Sequence, residues 1–229
     1  MTDELERART LARQGRLEEA LKLCLKVIES APLEVEAREL IIALSLKLEN
    51  LVEWMHHQLE LAELQARLSH HEVALKLFDE FLQFPMDGRP QGEQDLHALL
   101  KRQVFFQKGL VYRACERPQL AERNFREALA LGPDRWETYL ELGRTLTKMA
   151  RYQEAAQVLQ DGMRLNPIES GPILEALGDV FHHMGRDARS WYDSAIAHYK
   201  RLGNSDDVMR LSARLVDLFG NQYLKDLRK

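Results

Sequence analysis

The sequence predicts an all-α protein, and three observations carry that prediction. Apolar residues recur at helical spacing along most of the 229 residues. No segment shows the short alternation rich in valine, isoleucine and threonine that marks a strand. All seven prolines, Pro32, Pro85, Pro90, Pro118, Pro133, Pro167 and Pro172, fall at or just inside helix starts or in connections, so none interrupts an apolar stripe.

Three glycines stand inside predicted helices, Gly109 in "KGLVY", Gly143 in "ELGRTL" and Gly178 in "ALGDVF", where glycine costs about 1 kcal/mol relative to alanine. Displacing the chain on itself by 34 residues gives them a reason. Phe105 then falls on Tyr139, Gly109 on Gly143, Tyr112 on Leu146, Ala121 on Ala155, Phe125 on Leu159 and Pro133 on Pro167. The order aromatic, glycine, aromatic or leucine, then alanine, large apolar and proline resembles the tetratricopeptide repeat, a helix-turn-helix unit. The resemblance is strongest over residues 102–169. It implies a right-handed superhelix, an α-solenoid of about five repeats, in which the two helices of a hairpin approach most closely at the glycine. On that geometry Gly109 is expected opposite Ala121 and Gly143 opposite Ala155. Tyr112, Phe125, Leu146 and Leu159 then pack around the contacts, each contributing on the order of 2 kcal/mol when buried.

The remaining elements follow in chain order with decreasing fidelity to that repeat. Residues 1–34 keep Ala8, Leu11, Ala20, Cys24, Val27 and Pro32 in register, although Glu4 replaces the expected aromatic. Helix 34–48 has no partner of its own if 51–68 pairs with 71–83, so a phase shift is expected there. Residues 55–88 keep Leu61, Ala62, Ala74, Phe78 and Phe81, with Pro85 one place early. The stretch "FPMDGRPQGEQD", 84–95, is rich in glycine, proline and charge and reads as a linker. Asp134 followed by Glu137 reads as a capping pair. Near 171–203, Leu174, Gly178 and Phe181 fit after a one-residue slip, with Ser190 where alanine is usual. Helix 205–219 is expected to cap the last apolar face. The domain reading is therefore repeats with one irregular extra helix over 1–83, a linker over 84–95, and repeats with a capping helix over 96–229.

Composition and motifs exclude several functions. A net charge of −4 opposes general nucleic-acid binding, which would show a basic excess. Cys24 and Cys115 form no CxxC pair or zinc-finger spacing, and both read as reduced, inert thiols, Cys24 in a core position and Cys115 at a helix end beside Arg113 and Arg117. The N-terminal "MTDELERARTLARQG" lacks the apolar core of a secretory signal, and the longest apolar run, "LIIAL" at 40–44, is far short of the roughly 20 residues that span a bilayer. A soluble, cytoplasmic protein is expected. Adjacent histidines, His56-His57, His70-His71 and His182-His183, diverge by about 100 degrees on a helix and lack the i, i+4 spacing of a chelating pair. No metal site or cofactor is expected, and no catalytic motif is present, so the chain reads as no enzyme. Trp54, Trp136 and Trp191 are expected to pack.

In the family this sequence resembles, the first helices of successive repeats line a concave groove that holds a segment of a partner. Carrying that over places Phe106, Leu110, Arg113, Leu140, Arg144, Lys148, Asp179, His182 and His183 along the groove, with Arg9 and Arg13 at its N-terminal end. The subclass that grips a chaperone's C-terminal carboxylate uses lysines and asparagines where this chain has Leu5, Arg9, Phe106, Leu110, Leu140 and Arg144, so that ligand does not fit. The reading is a non-enzymatic adaptor that binds a peptide or protein with apolar and acidic features and helps to assemble or localise a complex. A self-associating scaffold, docking through the groove or an end face, and an RNA reader or enzyme are the alternatives.

Overall fold

A computed structural model describes residues 2–132, 135–165 and 170–220. Among these residues there are twelve α-helices and no strand. They fall into two compact units, Met1–Cys115 and Glu116–Lys229.

The first unit contains α1 (Thr2–Arg13), α2 (Leu17–Ser30), α3 (Val35–Lys47), α4 (Leu51–Arg67), α5 (His71–Gln83) and α6 (Gln91–Ala114). Each packs on the next. One core joins α1 to α3 through Ala8, Ala20, Cys24, Val27, Ile41 and Leu44; a second joins α4 to α6 through Trp54, Met55, Ala74, Phe78, Phe81 and Val104. The phase changes between them. α1 touches α3 and α4 touches α6, so the helices that meet across an intervening partner switch from odd to even places in the chain. The odd helix expected at 34–48 is α3, which packs on both α2 and α4. Cys24 is fully buried, and burial pushes its thiol up to about 11, as a core thiol requires.

The stretch 84–95 differs from the expected linker. Only residues 84–90 are connection; residues 91–95 open α6. Pro90 fixes the backbone at the helix entry, and side-chain bonds from Gln94 to the Arg89 carbonyl (2.8 Å) and from Gln91 to Asp95 (2.8 Å) hold the first turn. Phe84 lies on the Trp54 ring, centroids 4.1 Å apart. His97, buried, bonds the Phe81 carbonyl at 2.8 Å. Burial holds its imidazole below its ordinary range.

The second unit contains α7 (Pro118–Leu131), α8 (Trp136–Lys148), α9 (Tyr152–Leu165), α10 (Gly171–His183), α11 (Arg189–Arg201) and α12 (Ser205–Phe219). Its helices also pack in chain order, and α8 touches α10. α12 caps the unit: Leu211 and Leu215 are fully buried in a core with Tyr192, Ala195 and Tyr199. Asp134, the first half of the expected capping pair, lies outside the described residues, and α8 begins at Trp136 after Arg135.

Gly143 and Gly178 are contact points, with one correction. A side-chain carbon on Gly143 would lie 2.5 Å from Cγ and Cδ2 of Leu159, so Leu159 rather than Ala155 fills the place opposite it. Gly178 receives the Tyr192 ring in the same way, 2.5 Å from such a carbon. Gly109 is buried in α6.

Helix ends repeat a second device. After α1, α3, α4, α8, α10 and α11 one residue turns left-handed: Gly15, Glu49, Ser69, Ala150, Gly185 and Gly203. The next amide then bonds back five residues, as Arg151 does to the Leu146 carbonyl at 2.9 Å. At Ala150 (φ 58°) this conformation opposes the side chain.

Two outcomes are expected in urea or thermal melts. Gly143→Ala destabilises by about 1–3 kcal/mol through overpacking although alanine favours helix; in a Leu159→Ala background the same change is neutral or stabilising by up to about 1 kcal/mol, and an equal loss in both backgrounds would overturn the contact. Ala150→Gly stabilises by about 1 kcal/mol by relieving the left-handed turn.

Candidate functional site

The expected groove residues divide between the units. Arg9 pairs with Glu6 and Glu36, and Arg13 is exposed. Phe106 and Arg113 are half-buried on α6 and each already engaged. Leu110 lines an open channel. In the second unit Leu140 is 6% exposed and so offers little surface to a guest, a correction to its place in the groove: α8 is buried on more than one face, through Thr138, Leu142 and Leu146 as well as Leu140. Arg144 pairs with Glu141 at 3.0 Å and Lys148 with Glu116 at 3.4 Å. His182 and His183 are exposed, His183 stacked on Tyr152 at 5.7 Å.

Asp179 is spent inside the fold. It accepts from the Tyr192 hydroxyl at 2.6 Å and from Arg214 at 2.6 Å. One turn earlier, Glu175 accepts both Arg210 nitrogens at 2.8 Å and Arg214 at 3.1 Å. Burial pushes the Glu175 carboxyl up, but the Arg210 hydrogen bonds and the charges of Arg210, Arg214 and Arg144 outweigh it and hold the group below the usual carboxylate range. This ladder of ion pairs binds α12 to α10. Of the cations expected to attract an acidic partner, Arg144 and Lys148 are thus each paired with a carboxylate of the same chain at the surface.

The first unit offers a different arrangement. Between α4 and α6 runs an open channel of two adjoining parts, about 510 Å³ and about 360 Å³ in volume, which meet at Glu63 as a shared wall residue. From α6 it is lined by Leu96, Leu100, Gln103, Gln107, Leu110, Val111 and Ala114, a helical stripe without a charge. From α4 come Val52, Glu53, His56, Leu59, Glu60, Glu63, Ala66 and Arg67. The floor is apolar; the α4 wall carries the carboxylates of Glu53, Glu60 and Glu63 and the guanidinium of Arg67, and His71 of α5 lines the second part.

Hydrogen bonds fix that wall. Buried Arg38 pairs with Glu60, donates to the Pro32 carbonyl at 2.8 Å and lies 3.2 Å from His57 Nδ1. His57 Nδ1 therefore accepts, and its Nε2 hydrogen faces Glu53 at 3.3 Å. Burial holds the His57 imidazole below its ordinary range, against the opposing pull of Glu60 and Glu53, so it balances neither carboxylate at neutral pH. Glu63 accepts from the amides of Gln103 (2.6 Å) and Gln107 (3.3 Å).

Sequence reasoning missed this channel except for Leu110. Its signal was the spacing 96, 100, 103, 107, 110, 114, one stripe crossing from the supposed linker side into the recognised repeat. Among the described residues no group of three or more histidines, cysteines and carboxylates could hold a metal ion, and no helix is long and apolar enough to cross a membrane.

Comparison with known proteins agrees with this architecture. Tetratricopeptide-repeat family models match residues 113–167 and 6–31. Those two stretches carry tetratricopeptide repeats. The fold of the chain is also similar to crystal structures of MamA, one at a TM-score of 0.54 with 15% identity over 86% of this chain and 96% of that one, another at 0.51 with 14% identity over 87% and 92%. At such identity the likeness concerns the fold alone. No curated protein matches in sequence.

The Glu175 ladder makes a pH-dependent prediction. A carboxylate held low contributes stability above its unfolded value, about 4.3, and loses it as pH falls below. Arg210→Gln should cost about 1–3 kcal/mol at neutral pH, and the gap to the unsubstituted protein should close toward about pH 3. A gap independent of pH in thermal melts would mean that Arg210 acts by packing alone.

Proposed function

We propose that this tetratricopeptide-repeat chain is a non-enzymatic interaction scaffold, which holds a peptide or protein segment of a partner in the channel between α4 and α6 and so assists assembly or localisation of a complex. One observation carries the reading: an uncharged α6 stripe faces an apolar and carboxylate-bearing α4 stripe across open space. Two packed helices would ordinarily close such a gap. Val52, which lines the channel, is 51% exposed, and burying such surface against a partner is favourable.

The apolar features expected of the partner suit this channel. The acidic features do not, since the charge that the channel presents is negative. Arg144, Lys148, His182 and His183 stay exposed in the second unit and are a secondary surface in this reading.

Selection of random displayed peptides on the full chain tests it. Peptides enriched on the unsubstituted protein should be lost on Leu100→Arg, which fills the channel, and on Val52→Arg, an exposed position where folding is not at risk. Enrichment that survives both, or none at all, would overturn the proposal.

A further inference from the structure

We infer that the segment held between α4 and α6 brings a lysine or arginine side chain to Glu63, flanked by apolar side chains on both sides, an inference that rests on the channel reading above. Glu63 is the residue that lines both parts of the channel, so any guest that runs its length passes over this carboxylate. The bonds from Gln103 and Gln107 orient it from the α6 side, but both donors are neutral amides and leave its charge uncompensated. The α6 stripe supplies no cation.

The neighbouring groups do not compensate it either. Arg38 is committed to Glu60, and His57 is neutral and bonded to Glu53. The α4 wall thus carries three carboxylates, Glu53, Glu60 and Glu63, against Arg67, which is exposed one turn beyond Glu63 with no ion pair to it, while Arg38 reaches Glu60 from α3. Covering Glu63 with an apolar guest would strip water from a charge and return nothing, a penalty that a buried ion usually escapes only by pairing. An acidic guest would add repulsion. A guest cation reaching Glu63 regains the lost hydration as a charge-assisted hydrogen bond, while leucine-like neighbours fill the apolar space toward Leu100 on one side and Leu110 on the other.

The test uses three labelled amphipathic peptides built on the same leucine and alanine pattern, with lysine, glutamine or glutamate at the polar positions, titrated against the full chain by fluorescence anisotropy. The lysine peptide should bind best and the glutamate peptide worst. Glu63→Gln, which keeps the shape and removes the charge, should weaken the lysine peptide about tenfold and leave the glutamine peptide unchanged, and it should flatten the salt dependence. Leu100→Arg and Val52→Arg should abolish binding of all three. If Glu63→Gln leaves the lysine peptide unaffected while the two channel-filling variants abolish it, the cation is wrong and the channel stands. If those two variants change nothing, both fall. A lysine peptide that does not bind, or that binds no better than the glutamate peptide, overturns the cation irrespective of what the displayed peptides show.

Discussion

Within each unit the described helices find cover for their apolar faces mainly among their neighbours in the chain. The demand is sharpest where the two helices of a hairpin cross. At α8 and α9 the crossing works only because Gly143 has no side chain and Leu159 can enter; at α10 and α11 Gly178 accepts the Tyr192 ring in the same way. These contacts place whole helix faces to within a side chain's width. The Tyr192 hydroxyl extends one of them, since the ring lodged on Gly178 is what brings its oxygen to Asp179. Packing at one glycine thus sets the position of a charged network on the far side of the same ring.

How much of this was legible in the sequence depends on how local each feature is. The repeat over 102–169 could be read because glycine, alanine and aromatic positions recur at a fixed interval, and hairpin packing imposes that interval directly. The opposition of Gly143 to Leu159 could not be read in detail. Residues 155 and 159 stand one turn apart on α9, and only the actual crossing decides which of them faces the glycine. The channel was hidden for a different reason. Its α6 wall begins at Leu96, just beyond a stretch whose proline and glycine content resembles a linker, and the bonds of Gln91, Gln94 and His97 that make residues 91–101 helical are made to partners that composition does not reveal. Phe106 and Arg113 were chosen as groove residues by analogy with a regular repeat, and on α6 they lie beside the stripe that lines the channel rather than on it.

Charge is used differently in the two units. In the second, carboxylates on α10 are consumed by arginines from α12, and the ion pairs serve to seat the terminal helix. In the first, carboxylates on α4 are held by a buried guanidinium, a neutral imidazole and two amides, so orientation is provided with little neutralisation. A pairing network stabilises a fold; an oriented but unbalanced carboxylate beside apolar side chains is a surface waiting for its complement. Net charge alone, −4 over the whole chain, does not distinguish these uses.

The restriction of packing to neighbours and next-but-one neighbours in the chain also governs how each unit comes together. Loops that must close before a contact forms are only one or two helices long, which keeps contact order low and lets helical proteins of this kind fold rapidly. The same locality means that cooperativity is passed from helix to helix rather than through one shared interior. The change of phase between α3 and α4, where one core ends and the next begins, is then a natural place for that transmission to weaken. Hydrogen exchange in α1–α3 can in that case run ahead of exchange in α4–α6, with one part of the unit opening while the other keeps its protection.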